Sequence, residues 1–85
     1  MQPYSVFIHE RILQFPFRSP SKQRAIMLFI RELANDPFRP GDYEDRDFDT
    51  KRPLQVKIIA GLAITYWADH AVREVKVVNV QLADT

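Results

Sequence analysis

The chain has 85 residues, of which 46% are hydrophobic and 27% are charged, so it can bury one small core and is not disordered by composition. It contains no cysteine, which excludes disulfides, thiolate metal sites and catalysis by a thiol. No run of about 18 apolar residues is present, and the N-terminus lacks the pattern of a secretory signal. We therefore expect a cytoplasmic protein that folds as one domain over residues 1–85.

The formal net charge is only +1, but the charges are distributed unevenly. Residues 42–50 carry five acidic groups and one arginine, whereas segments 1–41 and 51–85 have net charges of +3 and +2. The low overall charge argues against a dedicated nucleic-acid binder and leaves a local basic site open. The acidic loop 42–49 is a solvated surface, a metal or carboxylate site, or a surface for a basic partner. Its spacing does not match a Ca²⁺-binding loop.

The N-terminal part of the sequence predicts a strand and a short helix. Residues 3–9 alternate weakly and are rich in aromatic and β-branched side chains, which favours a strand. Residues 10–17 predict one or two turns of helix, with an extension of the strand as the alternative. We therefore expect a strand that leads through a short helical segment to the first long element.

A longer helix follows, and capping residues mark its limits. Ser19 and Pro20 are suited to the N-cap and the first helical position. The segment Asn-Asp-Pro at 35–37 ends the helix, because proline cannot continue it. Met27 and Leu28 widen the apolar stripe and predict packing on a second side. The stripe itself follows the i, i+3, i+4, i+7 spacing of a core-facing helix and consists of Ile26, Phe29, Ile30 and Leu33.

The C-terminal half predicts a loop followed by a β-meander. Residues 37–53 hold three prolines, a glycine and the acidic cluster, which is typical of a loop, with a loose strand between Tyr43 and Phe48. The apolar register changes between Val77 and Val78, which indicates a bulge or a strand covered on both faces. The three strands of the meander are predicted at 54–60, 62–68 and 74–82, with turns at Gly61 and 69–73.

The resulting order, β-α-α-β-β-β, indicates a two-layer α+β fold with helices packed on a small, mainly antiparallel sheet. Three features resemble the RelE/ParE family of toxins from bacterial toxin–antitoxin systems. They are the turn Leu-Ala-Asn-Asp-Pro at 33–37, the segment from Gly61 to Tyr66 and Trp67, and the acidic residue Asp69 before the last strand. The resemblance covers roughly residues 4–84 and implies a RelE-like fold.

The resemblance also implies where a nuclease site would lie. Members that cut mRNA on the ribosome use cations from the strand before the glycine turn, just after that turn and near the C-terminus. Lys57 falls at one of these positions, whereas Gln55, Ala63 and Ala83 fall at or near the others. Attack by a 2′-OH needs a proton acceptor and cations that stabilise the phosphate charge. The resemblance therefore implies a toxin fold with a degenerate nuclease site.

Four residues are candidates for a reduced or relocated catalytic site: Lys57, Arg52, Lys51 and His70. The three cations would contact a phosphate, and the histidine, in a turn, would transfer a proton. The competing interpretation is that all four are ordinary surface side chains, which is the commoner situation for lysine and arginine. We expect no cofactor and no metal.

Two functions of different classes remain open. The favoured one is a toxin-fold protein that acts through protein binding; the alternative is a ribosome-dependent mRNA endoribonuclease. An antitoxin is the expected partner and would dock beside Met27 and Leu28, although homodimerisation through that surface competes. RNA with the ribosome, or DNA gyrase, is the possible target, and no membrane is involved. Tyr66 and Trp67 point to opposite faces of one strand, so one belongs to the core and the other is available to stack on a base or cover a partner.

Overall fold

The computed structural model describes residues 3–83 and contains, within that range, two helices and five strands. Neither helix is long and apolar enough to cross a membrane. The predicted order is confirmed, and the loose strand predicted after residue 42 is a fifth member of the sheet. In chain order the elements are β1 (Ser5–Ile8), α1 (Glu10–Leu13), α2 (Pro20–Glu32), β2 (Tyr43–Arg46), β3 (Pro53–Ile59), β4 (Leu62–Asp69) and β5 (Glu74–Leu82).

The five strands form one mixed sheet in the order β1-β5-β4-β3-β2. Strand β1 pairs with β5 in parallel, and all the other pairs are antiparallel. The turn between β3 and β4 consists of Ala60 and Gly61, whose φ angles are 54° and 80°. Positive φ at both positions matches the twist of a two-residue hairpin. The N-terminal strand therefore joins the meander, as expected from its composition.

Helix α2 begins as its sequence predicts. The Ser19 hydroxyl accepts a hydrogen bond from the backbone N–H of Lys22 at 3.3 Å, and Pro20 occupies the first turn. These features satisfy or remove N–H groups that would otherwise lack partners at the helix start. The short helix α1 has His9 as its N-cap, since the His9 Nδ1 accepts from the N–H of Arg11 at 3.1 Å.

The core lies between the helices and one face of the sheet. Phe29 of α2 meets Tyr66 of β4 edge to face, with ring centroids 5.6 Å apart. Edge-to-face contact is a favourable aromatic geometry and adds to the burial of both rings. The buried cluster consists of Ile12, Ile26, Phe29, Ile30, Leu33, Leu62, Ile64, Tyr66, Val75, Val77 and Val80. All four residues of the predicted stripe on α2 belong to it.

The strand register decides which face each side chain occupies. Lys57 pairs with Ile64 and Gln55 with Tyr66, so both polar residues lie on the helix side of the sheet. Leu54, which precedes Gln55 on β3, is 9% exposed and lies on the other face.

The ladder between β4 and β5 is irregular beside Thr65. The register shifts between Thr65 and Tyr66, because Thr65 pairs with Asn79 and Tyr66 pairs with Val77. Val78 is thus the extra residue of a bulge on β5. The predicted change of register at this point is confirmed.

Candidate functional site

A cleft opens where the loop after α2 passes over the ends of β3 and β4. Its volume is about 360 Å³. The loop that forms one wall contains Pro37 and Pro40, and proline fixes φ and so limits the conformations of this segment. The cleft is lined by Pro37, Phe38, Arg39, Pro40, Glu44, Arg52, Pro53, Gln55, Tyr66, Trp67, Ala68 and His70.

Hydrogen bonds from the sheet hold this loop in place. The Tyr66 hydroxyl donates to the backbone carbonyl of Arg39 at 2.8 Å, and the N–H of Gly41 donates to the Gln55 side-chain oxygen at 2.9 Å. A Cβ at Gly41 would overlap the backbone of Val56, so only glycine fits this crossing. Gln55 occupies a position at which the family resemblance implies a cation. Here its side chain anchors the loop instead.

Tyr66 is the core member of the predicted Tyr-Trp pair. Its residue is 1% exposed, and burial raises the pKa of its phenol to about 12. Desolvation disfavours the phenolate, so the hydroxyl stays protonated at neutral pH and acts as a hydrogen-bond donor. Tyr66 therefore positions the loop and is not suited to proton transfer.

Lys57 is engaged by an acidic neighbour. Its ammonium lies 3.1 Å from a carboxylate oxygen of Asp42, whose second oxygen accepts the N–H of Ile58 at 2.7 Å. The backbone hydrogen bond from Ile58, followed by the hydrogen bond from Lys57, lowers the pKa of Asp42. Charge-assisted hydrogen bonds favour the ionised carboxylate. Lys57 is thus part of an ion pair that ties the start of β2 to β3, and it does not line the cleft.

Arg52 and Trp67 form a stacked pair on the sheet. The guanidinium carbon of Arg52 lies 3.8 Å from the centroid of the Trp67 ring, and the ammonium of Lys76 lies 5.2 Å from it. Lys76 also pairs with Asp69 at 3.1 Å. Because cations of this chain already contact the half-buried ring, Trp67 is not an open platform for stacking a base.

Lys51 belongs to the turn between β2 and β3. Its ammonium lies 5.3 Å from the ring of Phe48, and its carbonyl accepts a hydrogen bond from the Arg46 guanidinium at 2.9 Å. Its φ of 62° is in the left-handed region, which suits a tight turn. Lys51 does not line the cleft.

His70 joins three segments of the chain through its ring. The ring stacks on Phe38, with centroids 4.7 Å apart and planes 20° apart. Its Nδ1 lies 3.1 Å from the hydroxyl of Tyr4, just before β1. These contacts connect the N-terminal segment, the loop after α2 and the turn before β5. A role in holding these segments together accounts for both contacts of the ring.

The structure thus divides the four candidates into two groups. Arg52 and His70 line the cleft, whereas Lys51 and Lys57 lie outside it. Two further charged residues line the cleft: Glu44, which belongs to the acidic loop, and Arg39, which sequence reasoning missed. Its guanidinium pairs with Glu32 at 3.3 Å and lies 5.0 Å from the ring of a core phenylalanine on α2. The available signal was its position between two prolines in a short loop that crosses the sheet.

The acidic loop stabilises its own turn. One carboxylate oxygen of Asp47 accepts the N–H groups of Asp49 at 2.9 Å and Thr50 at 3.0 Å. The hydrogen bond from Thr50, followed by that from Asp49, lowers the pKa of Asp47. Within residues 3–83, no three His, Asp or Glu side chains are grouped so that they could hold a metal ion.

Two other positions of the family cations carry alanine. Ala63 is 3% exposed and pairs with Ile58 and Gln81 on neighbouring strands. Ala83 donates its N–H to the carbonyl of Gly61 at 2.9 Å. Neither side chain offers a charge or a proton, so chemistry at the cleft depends on Arg39, Glu44, Arg52 and His70.

Fold and site together describe a small two-layer α+β protein with a cation-lined cleft beside its sheet. No protein-family model matches the chain, and no curated protein matches it either. Among solved structures it is similar to the crystal structure of the toxin–antitoxin complex RelBE2 from Mycobacterium tuberculosis. The TM-score is 0.65 at 18% identity, and the match covers 94% of this chain and 98% of that chain. The chain therefore has a RelE-type toxin fold, which confirms the fold implied by the sequence resemblance.

Proposed function

We propose that this chain is the toxin-fold component of a toxin–antitoxin pair and acts through protein binding, with a degenerate nuclease site. The proposal treats residues 1–85 as one domain that works in the cytoplasm and binds an antitoxin. Support for the partner comes from the similar structure, which is a toxin–antitoxin complex. Fold alone does not define chemistry, so the argument for the mode of action rests on the site.

The observation that carries this proposal is that the candidate cations do not converge. Lys57 is paired with Asp42, Arg52 is stacked on Trp67, and Lys51 lies in a separate turn. Phosphodiester cleavage needs a proton acceptor and several cations directed at one phosphate. Side chains already held by their own neighbours would have to be released first, at a cost in free energy.

One observation favours the alternative, a ribosome-dependent mRNA endoribonuclease. Arg39, Arg52 and His70 line the same cleft, and together they supply two guanidinium groups and an imidazole. An imidazole can accept the proton of a 2′-OH, and guanidinium groups can stabilise a phosphate. In this alternative the active site has moved from the position of Lys57 to the cleft.

Induced expression in a bacterial host, followed by primer extension on cellular mRNA, separates the two functions. We expect no codon-phased cuts in mRNA. Cuts that disappear in Arg52→Ala or His70→Ala, and persist in the control Arg18→Ala outside the cleft, would establish the endoribonuclease and overturn the proposal. Growth arrest without RNA cleavage would support action on another target, for which DNA gyrase is the candidate to assay.

The partner is tested with the purified protein. We expect a stable complex with the product of the neighbouring reading frame, measured by size-exclusion chromatography with light scattering. The free chain has a mass of 10.0 kDa, so a homodimer would be recognised by a doubled mass in the absence of partner. Failure to form any complex with the neighbouring product would count against the toxin–antitoxin assignment.

A further inference from the structure

A groove of about 490 Å³ lies between the end of α2, the segment before β1 and the turn before β5. Binding sites for small molecules usually occupy roughly 300–1000 Å³. Pro37 and Phe38 line both this groove and the cleft, so the two share part of one loop. The lining of the groove also includes Tyr4, Ala34, Asp36 and Arg73.

Backbone hydrogen bonds join the three walls of the groove. The N–H of Tyr4 donates to the carbonyl of Ala34 at 2.9 Å, and the N–H of Ser5 donates to the carbonyl of Arg73 at 3.1 Å. The first bond connects the segment before β1 to the end of α2, and the second connects it to the turn before β5. The walls are therefore in place without a ligand, which reduces the ordering cost of binding.

Two aromatic rings form the apolar part of the groove. Their centroids lie 6.4 Å apart, with the planes tilted by 59°. The hydroxyl of Tyr4 lies 3.1 Å from the Nδ1 of His70, so the polar end of this side chain already has a partner. Phe38 is 71% exposed. Exposed ring surface of this kind favours the packing of a further ring, edge to face or offset.

The groove also carries one charge of each sign. Within residues 3–83, neither Asp36 nor Arg73 takes part in an ion pair or a side-chain hydrogen bond. The guanidinium carbon of Arg73 lies 5.6 Å from the centroid of the Tyr4 ring. Asp36 follows the C-terminal end of α2, where the helix dipole adds negative potential. One wall therefore attracts an ammonium group and another attracts a carboxylate.

We propose that this groove binds a free α-amino acid with an aromatic side chain. The ammonium group of the ligand pairs with Asp36, its carboxylate pairs with the guanidinium of Arg73, and its ring packs on Tyr4 and Phe38. A ligand with a single charge gains from one of the two charged side chains and is repelled by the other, whereas a zwitterion gains from both. This site goes beyond the proposed function, because it requires neither an antitoxin nor a nuclease site.

The first measurement compares four small molecules, with the backbone N–H signals of the protein followed by NMR. L-phenylalanine carries both charges and a ring, 3-phenylpropionate lacks the ammonium group, phenethylamine lacks the carboxylate, and L-alanine lacks the ring. We expect saturable shifts of the Tyr4, Asp36 and Phe38 signals at up to about 10 mM L-phenylalanine. Each of the other three molecules should bind at least about threefold more weakly, since exposed charge pairs and ring contacts each make a modest contribution.

Variants of the two charged residues then assign each charge of the ligand to its partner. In Asp36→Asn, L-phenylalanine should bind no better than 3-phenylpropionate, but should still bind better than phenethylamine. In Arg73→Gln the pattern should be the opposite. A role in folding alone would weaken all four molecules alike. Asp49→Asn and Arg24→Gln are the matched controls, because they remove the same charges outside the groove and should retain both preferences.

Three results would overturn the amino-acid site. They are the absence of saturable shifts at the groove with L-phenylalanine, equal binding of L-phenylalanine and its two singly charged analogues, and equal effects of the groove variants and their controls. Complex formation with the neighbouring gene product tests the proposed function separately. Selective binding of L-phenylalanine without that complex would retain the groove and remove the toxin–antitoxin assignment, and the reverse result would retain only the assignment.

Discussion

The cleft and the exposed face of α2, which holds Arg24, Leu28 and Arg31, both carry cations, but the fold uses them differently. At the cleft, Arg39 and Arg52 each contact an acidic or aromatic side chain of the same chain, and Lys57, outside the cleft, is paired with Asp42. On the exposed face of α2, Arg24 and Arg31 have no such contact within residues 3–83. Cations that stabilise loops are poorly placed to bind a ligand, whereas unpaired cations beside an apolar strip remain available. Arg24 and Arg31 are therefore free to meet a partner, whereas Arg39 and Arg52 are already engaged within the chain.

The two faces of α2 provide the largest expected contrast. Phe29 is 3% exposed and packs on Tyr66, whereas its neighbour Leu28 is 57% exposed. Phe29→Ala should lower the free energy of unfolding by about 3–5 kcal/mol, because it removes a buried ring and leaves a cavity. Leu28→Ala should change it by less than about 0.5 kcal/mol. Urea denaturation followed by circular dichroism measures both values. Similar losses for the two variants would mean that α2 has no free face.

The loop over the cleft depends on a glycine. A Cβ at Gly41 would overlap the backbone of Val56, which cannot move without disturbing two strand pairs. Gly41→Ala should therefore cost about 1–3 kcal/mol of stability, the usual range for inserting a methyl group into a packed site.

Gly61→Ala is the control for this substitution. Nothing lies within 4 Å of a Cβ at Gly61, but its φ is 80°. We expect a cost of about 1 kcal/mol from backbone strain alone. A smaller loss for Gly41→Ala than for Gly61→Ala would mean that the loop is not packed tightly on β3. Thermal unfolding of both variants makes the comparison.

Local signals in the sequence were sufficient for most of the fold. The start of α2 follows from Ser19 and Pro20, whose effect depends only on neighbouring backbone groups. The bulge at Val78 follows from a change of apolar register within one strand. The pairing of β1 with β5 is not encoded locally, and the strand could be assigned to the sheet only by its composition and by the family resemblance.

The site was less predictable, because its contacts join residues distant in sequence. Lys57 was identified as a cation on a strand, but its partner Asp42 lies 15 residues earlier in a segment expected to be a loop. The face that Lys57 occupies depends on the pairing of β3 with β4, which alternation alone does not determine. Arg39 has no distinguishing spacing and lies at the cleft because Tyr66 and Gln55, both distant in sequence, hold its loop on the sheet.

Removal of that hydroxyl tests how firmly the cleft loop is held. Tyr66→Phe should cost about 1 kcal/mol, the usual value of one hydrogen bond, because the Arg39 carbonyl loses its donor. The variant should also differ in alkaline solution. The folded pKa of Tyr66 is raised from 10.0 to about 12, so its contribution is fully present below pH 10 and is lost as the pH rises toward 12. The free energy of unfolding of Tyr66→Phe should therefore fall less between pH 10 and pH 12 than that of the parent protein. Urea denaturation at several pH values measures this difference.

The smallest expected effect concerns the ion pair between Asp42 and Lys57, and it appears in acid. Hydrogen bonds from the Ile58 N–H and then from Lys57 lower the pKa of Asp42 below its ordinary value of 3.8. A lowered folded pKa means that the stabilisation is present above pH 3.8 and is lost as the pH falls through the folded pKa. Asp42→Asn should therefore flatten the loss of stability below about pH 4 relative to the parent protein. Asp36→Asn is the control, since no side-chain hydrogen bond involves Asp36 within residues 3–83. An unchanged acid slope in Asp42→Asn would mean that neither the Ile58 N–H nor Lys57 holds this carboxylate, and would return Lys57 to the candidates for binding a phosphate.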